Sequence, residues 1–260
     1  MGAIHPTAIV DPAAQIDPGA TVGPYCVVGA GVKVGPGCVI GPHAVLAGDT
    51  VLGPDTRVGP ISSIGMEPQD LKYKGEKTRL RVGRGNIFRE YVNVSVGSVD
   101  GNLETRIGDH NLFMSYVHVA HDCDVGSHTI FANLATLAGH ITIGDYAVIG
   151  GLSAIHQFVH IGAHTMISGG AMVVQDVPPY VTAVGDRAKP LGVNSRGISR
   201  RGFSPAAIAA IKTAYRYVYR EKLTLADALA RIEAELLPAH PELGIFVSFC
   251  RASTRGIIRD

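Results

Sequence analysis

The residues of this chain best suited to chemistry are His118, His121, His140 and His156, together with Asp122 and Gln157. They sit in three short stretches, His118-Val119-Ala120-His121-Asp122-Cys123, Gly139-His140 and His156-Gln157. Neutral imidazoles can hold a divalent metal such as zinc. The alternative is general-base acyl transfer. In that scheme His121 takes a proton from an acceptor hydroxyl, and Asp122 orients the ring and stabilises the imidazolium. A backbone N–H at Gly139 then holds the oxyanion. A base contributes about 10²–10⁴-fold and one oxyanion donor roughly 3 kcal/mol, enough for catalysis without a covalent intermediate. Either chemistry requires a scaffold that brings these separated stretches together.

A period of six supplies it. Every sixth residue from Ile4 is aliphatic: Val10, Ile16, Val22, Val28, Val34, Ile40, Leu46, Leu52, Val58 and Ile64. Four residues after each comes a mostly small one, including Ala20, Cys26, Cys38, Ala44 and Ser62, and glycine often follows the aliphatic residue directly. The pattern restarts at Val82, Phe88 and Val94, and again, shifted by one, from Ile107 through Val119, Leu137 and Ile155 to Val173. Six fits neither the 3.6 of a helix nor the 2 of an alternating strand. It fits a hexapeptide β-helix of short strands joined by turns with small or left-handed-tolerant residues. Three hexads make one triangular coil, and coils stack at the strand spacing of roughly 4.8 Å. Residues 18 apart then share a column: His121, Gly139 and Gln157 form one, and Asp122, His140 and Phe158 its neighbour.

Composition narrows the function classes. The chain has 260 residues, 23 basic and 22 acidic, so no net field recruits nucleic acid or anionic lipid. The N-terminus lacks a signal-peptide pattern and no apolar run is long enough to span a bilayer. Cys26, Cys38 and Cys123 occupy the small-residue slot, and the four cysteines show no C-x-x-C spacing. They read as reduced core residues of a cytoplasmic protein. Neither membrane insertion nor a cofactor is expected.

Two polar stretches, residues 66–79 and 97–106, break the period and are expected to leave the scaffold as functional loops. Past Val173 the pattern decays through Asp176 to Tyr180 into a linker ending near Arg201. The tail is expected to be helical. Ser204-Pro205 has an N-cap followed by proline at N1, and Thr224 to Asp227 resembles a capping box. A weaker segment covers roughly 241–250. The expected division is a β-helix over 1–191 and a helical domain over 192–260, capping the open end or lying beside it.

The non-repeat motifs carry a resemblance. The stretches 118–123 (HVAHDC), 137–140 (LAGH), 155–158 (IHQF), 175–180 (QDVPPY), 68–76 (PQDLKYKGE) and 199–204 (SRRGFS) resemble the UDP-N-acetylglucosamine O-acyltransferases that begin lipid A synthesis. The resemblance implies a left-handed β-helix, a hand for which there is no derivation from the residues. It also implies a homotrimer with sites between subunits, using acyl carrier protein as donor and UDP-N-acetylglucosamine as acceptor. It further implies His121 as base, Asp122 as its partner and Gly139 as oxyanion donor. Asp70, Lys72, His118, His140, His156 and Gln157 are implied as sugar and acyl-carrier contacts. Asn194, Arg200 and Arg201 fall at the nucleotide end, where a planar guanidinium suits a diphosphate. Gly169 matches the position that limits acyl length, about fourteen carbons by analogy. Gly169 stacks on Gly151, and a turn needing positive φ is the competing explanation for it.

Two departures bear on the acceptor. Val94-Ser95-Val96-Gly97-Ser98 stands where the family often has I-H-R-G-T, and Arg196 replaces a familiar Glu. A 3-amino sugar giving an amide therefore stays open beside the hydroxyl. A zinc hydratase, as in trimeric hexapeptide carbonic anhydrases, is the other alternative. It lacks its H-x-x-x-x-H pair here, and no metal is expected.

Overall fold

The computed structural model describes residues 2–259. Among them the short strands form three sheets of nine, eight and ten strands, parallel except for the last strand of the ten. Through Met172–Val173 each successive strand joins the next sheet, so the chain winds as a left-handed parallel β-helix with a C-terminal helical part. Most strands are two residues long, with the first side chain outward and the second buried, as in Asp124–Val125. The buried residues are the every-sixth aliphatics, from Val22 to Val173. Cys26, Cys38, Ala44 and Cys123 fill the interior beside them, fully buried and as free thiols where cysteine. Phe88, Phe113 and Phe131 stack inside the coils with ring centroids 4.8 Å apart.

The turns differ from expectation in one respect. Glycine after the aliphatic residue, Gly65 apart, does not supply positive φ. A Cβ at Gly53 would lie 2.5 Å from the Gly83 carbonyl carbon of the next coil, so glycine there permits close stacking. The left-handed residue comes two positions later and is often large, as at Tyr91, Tyr116, His140 and Phe158. These residues recover the strain by stacking ring on ring: Tyr91 on Tyr116 at 4.6 Å, His140 on Phe158 at 4.4 Å. Between glycine and the left-handed residue lies a slot occupied by Pro24, Pro36, Pro42, Pro54 and Pro60. Proline fits there because the slot's N–H is outside the ladder.

The two insertions leave the coils as expected, with tighter bounds. Met66 and Arg79 still belong to strands, and Glu104–Ile107 is a strand pairing with Arg79–Val82. The expected linker after Val173 is instead a hairpin. Val181–Val184 continues the ten-stranded face and Lys189–Val193 pairs antiparallel to it. That last strand runs across residue 191, where the sequence suggested a division.

The tail holds four α-helices: α1 (Ser195–Arg200), α2 (Pro205–Tyr219), α3 (Leu225–Glu235) and α4 (Gly244–Ala252). Ser204 caps α2 through the Ala207 N–H and Thr224 caps α3 through the Asp227 N–H, as their sequences require. The buried carboxylate of Asp176 fastens the tail to the last coils. It accepts from the His160 N–H at 2.8 Å and the Ser253 hydroxyl at 2.6 Å.

Because Phe113 contacts rings above and below, Phe113→Ala should destabilise the protein by about 3–5 kcal/mol. A urea midpoint unchanged in the variant would show that the aromatic stack is not a stabilising part of the core.

Candidate active site

His121 and Asp122 occupy the turn between strands His118–Val119 and Asp124–Val125, the corner joining the nine- and eight-stranded faces. Asp122 has φ 58°, which swings its carboxylate beneath the preceding imidazole. His121 Nδ1 lies 2.8 Å from Asp122 Oδ2. The Asp122 side chain is 0% exposed and that of His121 14%, so the carboxylate is buried while the ring reaches the surface. Burial pushes the Asp122 carboxyl up, but hydrogen bonds from His121 and Ser98 and the nearby His140 outweigh it and hold the group below its ordinary value. An ionised carboxylate only accepts, so it fixes the His121 proton on Nδ1 and leaves Nε2 with a free lone pair.

Gly139 lies one coil on, as the period requires. A Cβ at this position would stand 2.6 Å from His121 Cε1 and 2.8 Å from Nε2, so only glycine leaves room for the imidazole. Gly139 occupies the slot where other corners carry proline. Its N–H meets no acceptor among the described residues, which leaves a donor open beside the His121 imidazole. His140, next in the chain, packs edge-on against His121 at 4.9 Å with Nδ1 3.9 Å from Asp122 Oδ2. Burial pushes His140 down, against the pull of Asp122 and the more distant Asp70 and Asp100. His118 is likewise pushed down by burial and by His121, and its Nδ1 meets Asn93 Oδ1 at 2.8 Å.

The loops close over this corner. Lys72 Nζ of the first lies 3.3 Å from Asp100 Oδ2 of the second, and Asp70 accepts from the Lys72 N–H. A pocket of about 390 Å³ opens here between Asp100, Asn102, Asp122, His140, Phe158 and His160. The second loop also wraps the carboxylate. Ser98 and Asn102 donate their N–H groups to it and Ser98 adds its hydroxyl. No sequence signal pointed to these contacts, because the loop lies outside the period. Asn93 was discoverable: it stands opposite His118 in the ladder once the shifted restart is applied.

The remaining expected residues are distributed along and around the coil. Gln157 and His156 are exposed one coil beyond Gly139, with His156 Nδ1 2.9 Å from Arg255 of the tail. Asn194, Arg200 and Arg201 line a separate pocket of about 300 Å³ with Tyr146 and His164, on the corner between the eight- and ten-stranded faces. The Arg201 guanidinium lies over the Tyr146 ring at 4.7 Å. The Asn194 side chain is engaged within the chain, accepting from the Gly197 N–H as the cap of α1 and donating to the His164 carbonyl. Gly169 is on the third corner, where a Cβ would lie 3.3 Å from the Gly151 carbonyl oxygen. Positive φ belongs to Gly170 (71°), so the turn does not account for glycine at 169.

Among the described residues a metal has one candidate position, where ligand atoms of His121, Asp122 and His140, one from each, lie within 4.8 Å of one another. An ion there would compete with the short His121–Asp122 hydrogen bond, an arrangement better suited to moving a proton.

Comparison with known proteins agrees with this geometry. A family model described as UDP-N-acetylglucosamine O-acyltransferase, domain 2, matches residues 176–258. Acyl-[acyl-carrier-protein]–UDP-N-acetylglucosamine O-acyltransferases from Myxococcus xanthus and Thermodesulfovibrio yellowstonii are 46% and 48% identical over 198 residues, 76% of each chain. The solved UDP-N-acetylglucosamine O-acyltransferase of Moraxella catarrhalis superposes with a TM-score of 0.96 at 40% identity, covering 98% of this chain and 99% of its own. The enzyme of Francisella novicida gives 0.96 at 36%, covering 99% and 94%. With this identity over most of its length and the same architecture throughout, the chain is an acyltransferase and belongs to the UDP-N-acetylglucosamine O-acyltransferase family.

Proposed function

We propose that this enzyme transfers an (R)-3-hydroxyacyl group from acyl carrier protein to the 3-hydroxyl of UDP-N-acetylglucosamine, the first step of lipid A synthesis, in the cytoplasm. The observation that carries the mechanism is the Nδ1–Oδ2 hydrogen bond of 2.8 Å at a ring whose Nε2 faces Gly139. His121 Nε2 takes the proton as the sugar oxygen attacks the thioester carbonyl. The oxyanion is held by the free Gly139 N–H. Collapse breaks the C–S bond, and the imidazolium returns its proton to the departing thiolate. Asp122 keeps the tautomer and stabilises the transient cation. Asp70, Lys72, His118, His140, His156 and Gln157 contact the sugar and the acyl-carrier arm, with Asn194, Arg200 and Arg201 at the nucleotide end. Asn194 serves there as the cap that holds α1, whose last turn carries Arg200.

The protein works as a homotrimer with each site between two chains. Support comes from the placement of functions on separate corners: the base faces one side of the prism, while Arg200, Arg201 and Gly169 face the others. One rigid coil cannot turn these corners toward a common substrate, whereas an adjoining copy can. The amide-forming alternative is kept because Val96 borders a pocket of about 690 Å³ beneath the first loop, where a larger side chain was expected from the family pattern. Comparing transfer to UDP-N-acetylglucosamine and to its 3-amino analogue decides between them.

His121→Ala should lower turnover at least roughly 10²-fold without unfolding, because the ring is not a core residue. Near-normal activity in the folded variant would remove the base from this scheme. Trimers mixed from His121→Ala and Gln157→Ala subunits should regain part of the activity if one site draws these residues from different chains. No recovery in verified heterotrimers would count against sites shared in that way.

Gly169 sets the length of the acyl chain, about fourteen carbons. The Cβ distance of 3.3 Å means a side chain enters with only a small shift of the Gly151 backbone, and then occupies the space beside that corner, where we place the acyl chain. Each buried methylene contributes about 0.8 kcal/mol, so losing room for two costs about 1.6 kcal/mol, a little over tenfold in preference. Gly169→Met should favour donors several carbons shorter in a competition from ten to sixteen carbons. An unaltered profile would place the ruler elsewhere.

A further inference from the structure

We infer that Ser98 is a positioning residue for the His121–Asp122 pair, its hydroxyl fixing the carboxylate so that Oδ2 stays aimed at the imidazole Nδ1. This rests on the general-base reading above and adds a residue to it from a loop outside the repeat.

The side-chain contacts converge on one oxygen. Asp122 Oδ2 accepts from Ser98 Oγ at 2.6 Å, from the Ser98 N–H at 3.0 Å and from His121 at 2.8 Å. Oδ1 accepts only backbone donors, Ser98 N–H at 3.1 Å and Asn102 N–H at 3.0 Å. The Ser98 carbonyl closes the same turn by accepting from the Gly101 and Leu103 N–H groups. Gly101 lies flat on the carboxylate, where any Cβ would collide with it. Asp122 is anchored from its own side as well, its N–H donating to Thr105 Oγ1 at 2.9 Å. Ser98 is 3% exposed, so its hydroxyl is shielded from bulk water. A carboxylate held only by backbone donors could pivot about its Cβ–Cγ bond; the short side-chain contact removes that freedom.

A structural role alone would hold the loop and do nothing to the base. The two roles separate because Ser98→Ala keeps the N–H contacts that build the turn and deletes only the hydroxyl. With that donor gone, more of the Asp122 charge is directed at His121, which favours the imidazolium. The acid limb of kcat/KM should therefore move to higher pH, while poorer alignment lowers kcat. The other titratable groups facing the pair are His118 and His140 from adjacent strands and turns, with Asp70 and Asp100 from the loops. The substitution touches none of them.

The experiment measures kcat, KM for both substrates and the pH profile in wild type, Ser98→Ala, Ser98→Thr and His121→Ala, with folding checked by thermal melting. Ser98→Ala should lose about 10-fold or more in kcat, the scale of a hydrogen bond to a charged group. KM should be little altered, the acid limb raised, and Ser98→Thr should restore both. Wild-type kcat and profile in Ser98→Ala, or a loss with an unmoved profile and no rescue by threonine, would overturn the inference. If Ser98→Ala does not assemble, Ser98→Cys, similar in size with a weaker donor, carries the same test. An active His121→Ala would instead defeat the base assignment, whatever Ser98→Ala does.

Discussion

The ladder of backbone hydrogen bonds between coils governs everything else in this molecule. Each strand donates to the coil above, as in Asp124 N–H to Ile141 carbonyl at 2.8 Å and His118 N–H to Ala135 carbonyl at 3.1 Å. Parallel register at this spacing leaves no freedom in the lateral position of a side chain. A residue's column is therefore decided by its place in the period. The same rigidity leaves the donor at Gly139: the turn slot lies outside the ladder, so where proline does not remove its N–H that group is left for a side chain of the next coil, as Ser127 N–H donates to Asp145 Oδ1, or for a ligand. In ordinary corners that loss is harmless, and in this one the leftover donor stands beside an imidazole.

Because the ladder is regular, much of the architecture was legible in the residues. The hexad placed the core aliphatics, the small-residue slot and the column joining His121 to Gly139, and the caps at Ser204 and Thr224 located two helices. What escaped was whatever the period does not encode. The hairpin of Val181–Val184 and Lys189–Val193 has no hexad signature and read as a linker. Large rings at left-handed positions ran against single-residue preference, because their compensation is stacking across 18 or more residues of sequence. Asn194 looked like a ligand group from its motif, but the local chain engages its side chain as a helix cap. The wrapping of Asp122 by Ser98 and Asn102 was invisible, since a polar insertion gives no clue to which buried group it will serve.

That wrapping explains why an insertion stands at this coil. A carboxylate with no exposed side-chain surface must be fully hydrogen-bonded or lose its charge. The bare scaffold offers little: coil carbonyls outnumber free donors, and the turn N–H groups that exist are engaged in the next corner. The second loop brings its own donors and leaves Oδ2 one direction open, toward His121. Burial alone would have raised the acid and freed the imidazole tautomer; burial with these donors fixes both. The break in the repeat is thus the condition for having a buried, ionised carboxylate beneath a surface imidazole.

The same rigidity limits what a single chain can do. A triangular coil is convex at every corner, and the three corners here carry separate equipment: the His121 imidazole and the Gly139 N–H on one, Arg201 over an aromatic column on the second, paired glycines on the third. No bending mode brings them together, since every coil is bonded to the next. The proposed reaction, which joins a nucleotide sugar to a long acyl donor, would use all three kinds of surface at once. Rotation about an axis parallel to the coil stack supplies this without deformation, by setting one copy's corner in the hollow beside another's. The proposed trimer follows from a scaffold too stiff to close on its own ligand.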